Sequence, residues 1–378
     1  MKNLGEKAKV LFSNSKLDFG MLTIIIVLLC IGLVMVSSAS SYLALTSYND
    51  SNYYLIKQLQ FAILGVIAML IISKIDYRVY KKFSYLFFII SIILLAAVLV
   101  PGIGVEVNGA TRWLGFGETF RFQPSEIVKI SLVFAISTYI ATNYKKTNSI
   151  KGYIIPFLML AVVVIIMFLQ NHMSGTLVMM VAALSIIFAS GIKIKLRYII
   201  PLIIIAVVAL GIFILAEPFR INRILSFANP EQDIKDGNWQ AAQSLYAIGS
   251  GGLFGRGLGQ SREKYSWLPE AQNDFIFSVL CEELGLVGAV IVLGMFIFFI
   301  YRGYKIALTC KDMYGSLIAT GITSVFAIQI LVNIAVVTCT MPVTGMPLPF
   351  FSYGGTALCI NLCAMGILLS ISRNCKTN

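Results

Sequence analysis

The stretch Tyr265–Gly285, YSWLPEAQNDFIFSVLCEELG, sets four carboxylates across the passage from a polar loop into an apolar helix: Glu270, Asp274, Glu282 and Glu283. Pro269 suits the first turn of a helix. The spacing of Glu270, Asp274, Ser278 and Cys281 or Glu282 then predicts one shared helical face. A charge turned to lipid costs at least ~2.5 kcal/mol, so such a face points into a cavity or at a partner. At Asp274 the helix N-terminus favours the anion while burial opposes it, which poises the carboxylate as a general base near neutral pH. Glu270 supports it from one turn earlier. The plainer reading makes these acids helix caps paired with loop arginines. Glu282 and Glu283 lie deeper and are assigned to architecture, paired with a polar group on a neighbouring helix.

Complementary chemistry lies elsewhere in the chain. GATRWLGFG offers Arg112 as an anion ligand and Trp113 as a flat surface for a sugar ring. In RFQPSEIVKI, Pro124 opens a helix that sets Glu126 and Lys129 one turn apart inside the membrane. Either the two neutralise each other, or Lys129 faces a polar cavity and binds an anion there, the reading the nearby arginines favour. The glycine run GSGGLFGRGLG lacks the GK[ST] ending of a nucleotide loop. Its glycines suit tight packing or bending near a lipid-linked ligand, with Arg256 and Arg262 available to a phosphate; a flexible loop with solvated arginines fits the spacing equally. His172, the single histidine, is expected in a structural or substrate-contact role. MPVTGMPLPFFSYGGT, rich in Pro and Gly, cannot span as regular helix and must be buried in protein or line a cavity, which makes Ser352 a candidate substrate contact.

The elements that must position these residues are transmembrane helices. Of 378 residues 58% are hydrophobic and only 12% charged, with mean hydropathy +0.87, outside the range of a soluble globular domain. Apolar runs long enough to span a bilayer recur at about 19–40, 55–73, 83–100, 124–142, 152–170, 173–191, 198–216, 275–301, 316–340 and 355–372. The chain is therefore read as an all-α integral membrane protein, a single membrane domain over 1–378 with about ten helices. Outer loops fall at 101–123 and 217–270, the second a large extracellular loop between the seventh and eighth spans. A loop that long should carry short helices of its own, and WQAAQSLYAI (239–248) has the amphipathic spacing to lie on or dip into the membrane surface.

Charge sets the orientation. With a cytoplasmic N-terminus (1–18), the inner segments, including the tail at 373–378, hold 19 of the 29 Lys and Arg residues and only four of the 17 acids. Both termini are thus expected in the cytoplasm, and the net charge of +12 reflects the positive-inside rule rather than a nucleic-acid partner. The first apolar run is too long for a signal-peptide core and is retained as a helix. The seven cysteines show no CxxC pair and read as small buried hydrophobes, neither a disulfide framework nor a metal site.

The blocks GLVMVSSAS, GATRWLGFG…FQPSEIVKI, QSLYAIGSGGLFGRGLGQS, YSWLPEAQNDFIFSVLCEELG and PVTGMPLPFFSYGGT, in this order, resemble the signature segments of the SEDS family of FtsW, RodA and SpoVE. SLYAIGSGG and GLGQS are nearer the FtsW/SpoVE branch of Gram-positive bacteria. The resemblance implies a ten-helix peptidoglycan glycosyltransferase of the bacterial cytoplasmic membrane. Its members polymerise lipid II at the outer face, beside a class B penicillin-binding protein and other divisome or sporulation membrane proteins. It places the family's essential aspartate on Asp274, its glutamate on Glu270, its tryptophan on Trp113 and its lysine on Lys129. A divalent cation, Mg or Mn, would help stabilise the departing pyrophosphate. One departure is Gln170-Asn171-His172, where many relatives have a proline. The alternatives are a lipid II flippase, disfavoured because the polar residues crowd one side, and a non-catalytic scaffold for the transpeptidase.

Overall fold

The computed structural model describes residues 17–107, 110–116, 120–144, 150–191, 239–265 and 267–375. Eight helices run as rods through the bundle at positions that hydropathy predicts: α1 Phe19–Tyr48, α2 Tyr53–Lys74, α3 Arg78–Ala97, α4 Pro124–Thr142, α5 Ile154–Leu169, α6 Met173–Ala189, then, past a short α7 (Trp239–Ser250), α8 Ile276–Thr309 and α9 Met313–Val337. A final rod, α10 Gly355–Asn374, packs along α2. Seven of these helices are long and apolar enough to cross a membrane, and α5 and α6 are shorter apolar helices. The span expected at 198–216 lies outside the described residues, as do most of 1–18 and the end of the tail at 373–378.

The loop at 101–123 folds into a small antiparallel sheet, β1 Gly104–Val107, β2 Ala110–Phe116 and β3 Phe120–Phe122, in the order β1-β2-β3. Among the described residues it is the one sheet. Pro124 then starts α4, where its missing N–H costs nothing.

Two polar clasps tie α1 to α8. Asp18, which also caps α1, pairs with Arg302 at one end, and Ser38 donates to the Glu283 carboxylate at 2.5 Å at the other. The clasps are about 20 residues apart on each helix; at about 1.5 Å per residue that is about 30 Å, the thickness of a bilayer's hydrocarbon core. Between them the seam is apolar, with Met21, Ile25, Leu28, Met35, Val292, Phe296 and Phe299 buried.

The helix α8 is broken at Gly285, whose φ of 69° and ψ of −171° interrupt the ladder of i to i−4 bonds. The glycine run at 251–257 repairs the break. Arg256 and Gly257 donate backbone N–H groups to the carbonyls of Glu282 and Glu283, and the N–H groups of Leu286 and Val287 reach Gly252 and Leu253. Such backbone contact excludes side chains: a Cβ on Gly255 would lie 2.2 Å from the Glu283 carbonyl oxygen. The glycines therefore serve tight packing. WQAAQSLYAI forms α7, held by Ser244, whose hydroxyl meets Ser278 at 2.7 Å and donates to Val337 at 2.6 Å.

Two expectations need correction. The helix carrying the carboxylates starts at Ile276 rather than near Pro269, because Glu270 takes a left-handed φ of 56° that no α-helix contains. Glu270, Asp274, Ser278 and Glu282 therefore do not share a helical face. The cysteines are not all unpaired either: Cys310, after α8, and Cys375, at the end of α10, form a disulfide, since the fold sets their Cα atoms 5.0 Å apart.

Gly255→Ala should lower the thermal unfolding midpoint of the purified protein, because a Cβ there meets backbone at a positive φ. Gly249→Ala, in α7 with open space around it, should leave the midpoint unchanged. Equal midpoints for the two variants would contradict the packing account.

Candidate active site

The carboxylates Glu270 and Asp274 sit in the turn 267–275 that leads into α8. Asn273 donates to Glu270 Oε2, and the Asn273 N–H bonds the Glu270 carbonyl at 3.0 Å, which closes the turn. Asp274 is half-buried beside Gly345, whose added Cβ would lie 3.3 Å from Asp274 Oδ2. Burial and then the charge of Glu270 push the Asp274 carboxyl up to about 7, while Arg112 pulls it down. Arg112, on β2, is 162 residues away in the chain, yet its charge acts on Asp274.

Side-chain amides hold this turn in register. Asn333 of α9 donates to the Asp274 carbonyl at 2.8 Å and to Met346 at 2.7 Å. Ser352 donates to the Asn273 carbonyl at 2.6 Å and accepts from the Leu348 N–H at 2.7 Å, while Gln58 of α2 reaches the Ser352 carbonyl and the Gly354 N–H. The Pro- and Gly-rich segment is thus buried against protein, and the Ser352 hydroxyl is committed to backbone.

Lys129 is buried and paired. Its Nζ lies 2.7 Å from Glu126 Oε2 and 3.1 Å from Gln329 Oε1, and Gln329 in turn donates to the Pro347 carbonyl. The neutralising reading of the Glu126–Lys129 spacing is therefore the geometry seen, and the pair braces α4 against α9. Nearby, His172 caps α6: its Nδ1 accepts the Gly175 N–H at 3.2 Å, and its Nε2 lies 2.8 Å from the Gln123 carboxamide. Burial, then Arg112 and Lys129, lower its pKa to about 3, so it stays uncharged. Arg112 donates to the carbonyl of Asn171 in the same turn, and Trp113 stands half-buried beside it on β2.

The structure thus brings Asp274, Glu270, Arg112, His172, Lys129 and Glu126 together at one end of the bundle. Arg256 belongs elsewhere: its Nη1 pairs with Glu282 at 3.3 Å and its Nε donates to Ser250. Glu282 also accepts from Ser261 and the Arg262 N–H, and Glu283 pairs with Lys264 at 3.1 Å, so both deep acids are architectural. Asn333 and Gln329 carry no sequence signal; only their polarity inside an apolar run sets them apart. Among the described residues no three His, Cys, Asp or Glu side chains converge.

A bundle of apolar helices, most of them long enough to cross a membrane, with carboxylates and cations gathered at one end, defines a multi-pass membrane protein. Residues 20–377 match the FtsW/RodA/SpoVE family of cell cycle proteins, and the chain belongs to that family. It is 42% identical over 361 residues to stage V sporulation protein E of Bacillus subtilis, covering 94% of this chain and 97% of that one. It is 38% identical over 366 residues to a probable peptidoglycan glycosyltransferase FtsW of Trichlorobacter lovleyi, covering 97% and 95%. Among solved structures, a chain of a peptidoglycan synthase complex that coordinates polymerization and crosslinking matches with a TM-score of 0.77 at 26% identity, over 96% of this chain and 99% of that one. Rod shape determining protein RodA of Thermus thermophilus matches over the same shares, at 27% identity and a TM-score of 0.68.

Removing Lys129 should strand the Glu126 carboxylate in the bundle. Lys129→Met is expected to destabilise the protein by about 3–5 kcal/mol, and the double change Glu126→Met with Lys129→Met to recover most of that loss. Unfolding midpoints of the parent, Lys129→Met, Glu126→Met and the double variant measure the coupling; additive losses would show that the pair does not act as a unit.

Proposed function

We propose that the chain is a peptidoglycan glycosyltransferase that polymerises lipid II at the outer face of the cytoplasmic membrane, with both termini in the cytoplasm and a class B penicillin-binding protein as partner. The family membership and the naming of its FtsW relatives support the reaction class. The distribution of Lys and Arg supports the orientation. The observation that carries the mechanism is the setting of Asp274, a carboxylate raised to about 7 beside a second carboxylate and within reach of an arginine's field.

In this reading Asp274 takes the proton from the 4-hydroxyl of the acceptor sugar. The hydroxyl oxygen bonds to the anomeric carbon of the lipid-linked donor as the bond from that carbon to the pyrophosphate breaks. Polyprenyl pyrophosphate leaves with the electron pair, and the anomeric centre inverts. Arg112 lies where it opposes the negative charge of the leaving pyrophosphate, and Trp113 offers a face to a sugar ring. Glu270 tunes the base through its charge. His172 and Lys129 act on the shape of the site, the first as a neutral cap and the second through its ion pair. Ser352 fixes the turn that carries Asp274.

Purified protein, alone and with its transpeptidase, should convert labelled lipid II into glycan polymer. Asp274→Asn should lose about 10²–10⁴-fold in rate while folding normally; polymer from that variant at the parental rate would sink the assignment.

A base must be unprotonated, so the rate should rise with pH and level off above about 7. Glu270→Gln removes a like charge and should move this limb to lower pH. Arg112→Gln removes the compensating cation and should move it higher. Limbs that stay fixed in both variants would detach Asp274 from the pH profile.

A further inference from the structure

Beneath the glycine-rich loop, between α1 and α8, lies an apolar groove of about 530 Å³. Its walls include Cys30, Val34 and Met35 of α1 and Leu284 and Ile291 of α8, and Leu258 of the loop roofs it. That volume lies within the range of about 300–1,000 Å³ of small-ligand sites. The groove lies between the two polar clasps, in the outer half of the hydrocarbon layer under the orientation proposed above. Two residues before Leu258 in the chain is Arg256, whose side chain is 31% exposed, with Nη1 on Glu282 and Nε on the Ser250 carbonyl; among the described loop residues it is the one cation that keeps both an acidic partner and solvent contact. An apolar trough below a half-exposed guanidinium at the membrane boundary matches one kind of ligand, a lipid with an anionic head.

We propose that this groove holds the polyprenyl chain of the acceptor lipid, with its pyrophosphate facing Arg256. The inference rests on the reading of Asp274 as the base, and height along α8 carries it. Glu282, the partner of Arg256, lies six residues below Ile276, about 9 Å at helical rise. Asp274 stands just above that start, so base and guanidinium are separated along the axis by about the length of a disaccharide. In the acceptor, the reacting 4-hydroxyl and the pyrophosphate lie at opposite ends of a disaccharide, which fits this separation. In the donor, the bond that breaks is the one to the pyrophosphate itself, so the donor's phosphates must sit at the level of Asp274 and Arg112. Two arginines at two heights thus sort two lipid-linked sugars.

The free thiol of Cys30 is exposed in the groove and reports its occupancy. Full-length protein in phosphatidylcholine nanodiscs is treated with a maleimide, and alkylation of Cys30 is followed by peptide mass spectrometry. A long-chain polyprenyl pyrophosphate at about ten times its dissociation constant should slow alkylation about tenfold. The uncharged polyprenol and phosphatidylglycerol at the same concentration should not. Arg256→Gln should abolish protection, and Asp274→Ala should keep it.

Equal slowing by phosphatidylglycerol or polyprenol would overturn the proposal in favour of a surface wetted by bulk lipid. A thiol that stays open to every lipid but closes when the transpeptidase is added would overturn it in favour of a partner's helix. Loss of protection while polymerisation still depends on Asp274 would remove the groove and leave the base standing. Polymerisation by Asp274→Ala with protection intact would remove the base and, with it, the acceptor assignment.

Discussion

Two adjacent carboxylates buried at the boundary between lipid and water, Glu282 and Glu283, hold the loop-bearing end of this protein together. Neither can be left uncompensated in such surroundings. Each therefore draws loop groups to itself: Ser261, Arg256 and the Arg262 N–H to Glu282, and Lys264 and Ser38 to Glu283. Satisfying these two acids folds the glycine run over α8, closes the break at Gly285 and locks α1 in place. Packing alone would not do this, because lipid is as apolar as the side chains and offers helices no hydrophobic reason to associate.

A second constraint follows from the first. Once α8 is fixed, the turn that precedes it must present Asp274 without the help of a helix, and amides and hydroxyls supply the needed order. Asn333, Ser352 and Gln58 spend their hydrogen bonds on backbone carbonyls and N–H groups of this turn and of the segment at 344–354. The Asp274 carboxylate is thus carried by a turn whose backbone is tied on several sides by side chains of α9, α2 and the segment at 344–354. Its environment stays dry enough to raise its proton affinity, and its position stays narrow.

Much of this was legible in the sequence because the membrane reduces the possible structures. Hydropathy located nine apolar helices among the described residues, and the need to compensate buried acids marked Glu282 and Glu283 as architectural. What escaped prediction was decided by tertiary contact. Pro269 reads as the start of a helix, yet Glu270 turns into the left-handed region and delays it to Ile276. The strands of the small sheet are too short, at 4, 7 and 3 residues, for alternation to show. Arg256 reads as a phosphate ligand by composition, and only the fold adds the buried acid that holds it, Glu282. Cys310 and Cys375 are 65 residues apart, so their pairing has no local signature. The charge of Arg112 acts on Asp274 from 162 residues away in the chain, which no spacing encodes.

The segment after α9 also bears on how the protein is made. Its non-helical backbone lies inside the bundle, and its polar groups find partners on α2, near the beginning of the chain, on α9, and in the turn before α8. A helix can be completed as it leaves the translocation machinery, since its bonds are internal. This segment cannot. Its carbonyls and N–H groups acquire their partners only after both halves of the chain are in the bilayer and have met. Construction of the turn that carries Asp274 is therefore a late event of assembly, and a nascent chain crosses the membrane before that turn has its supports.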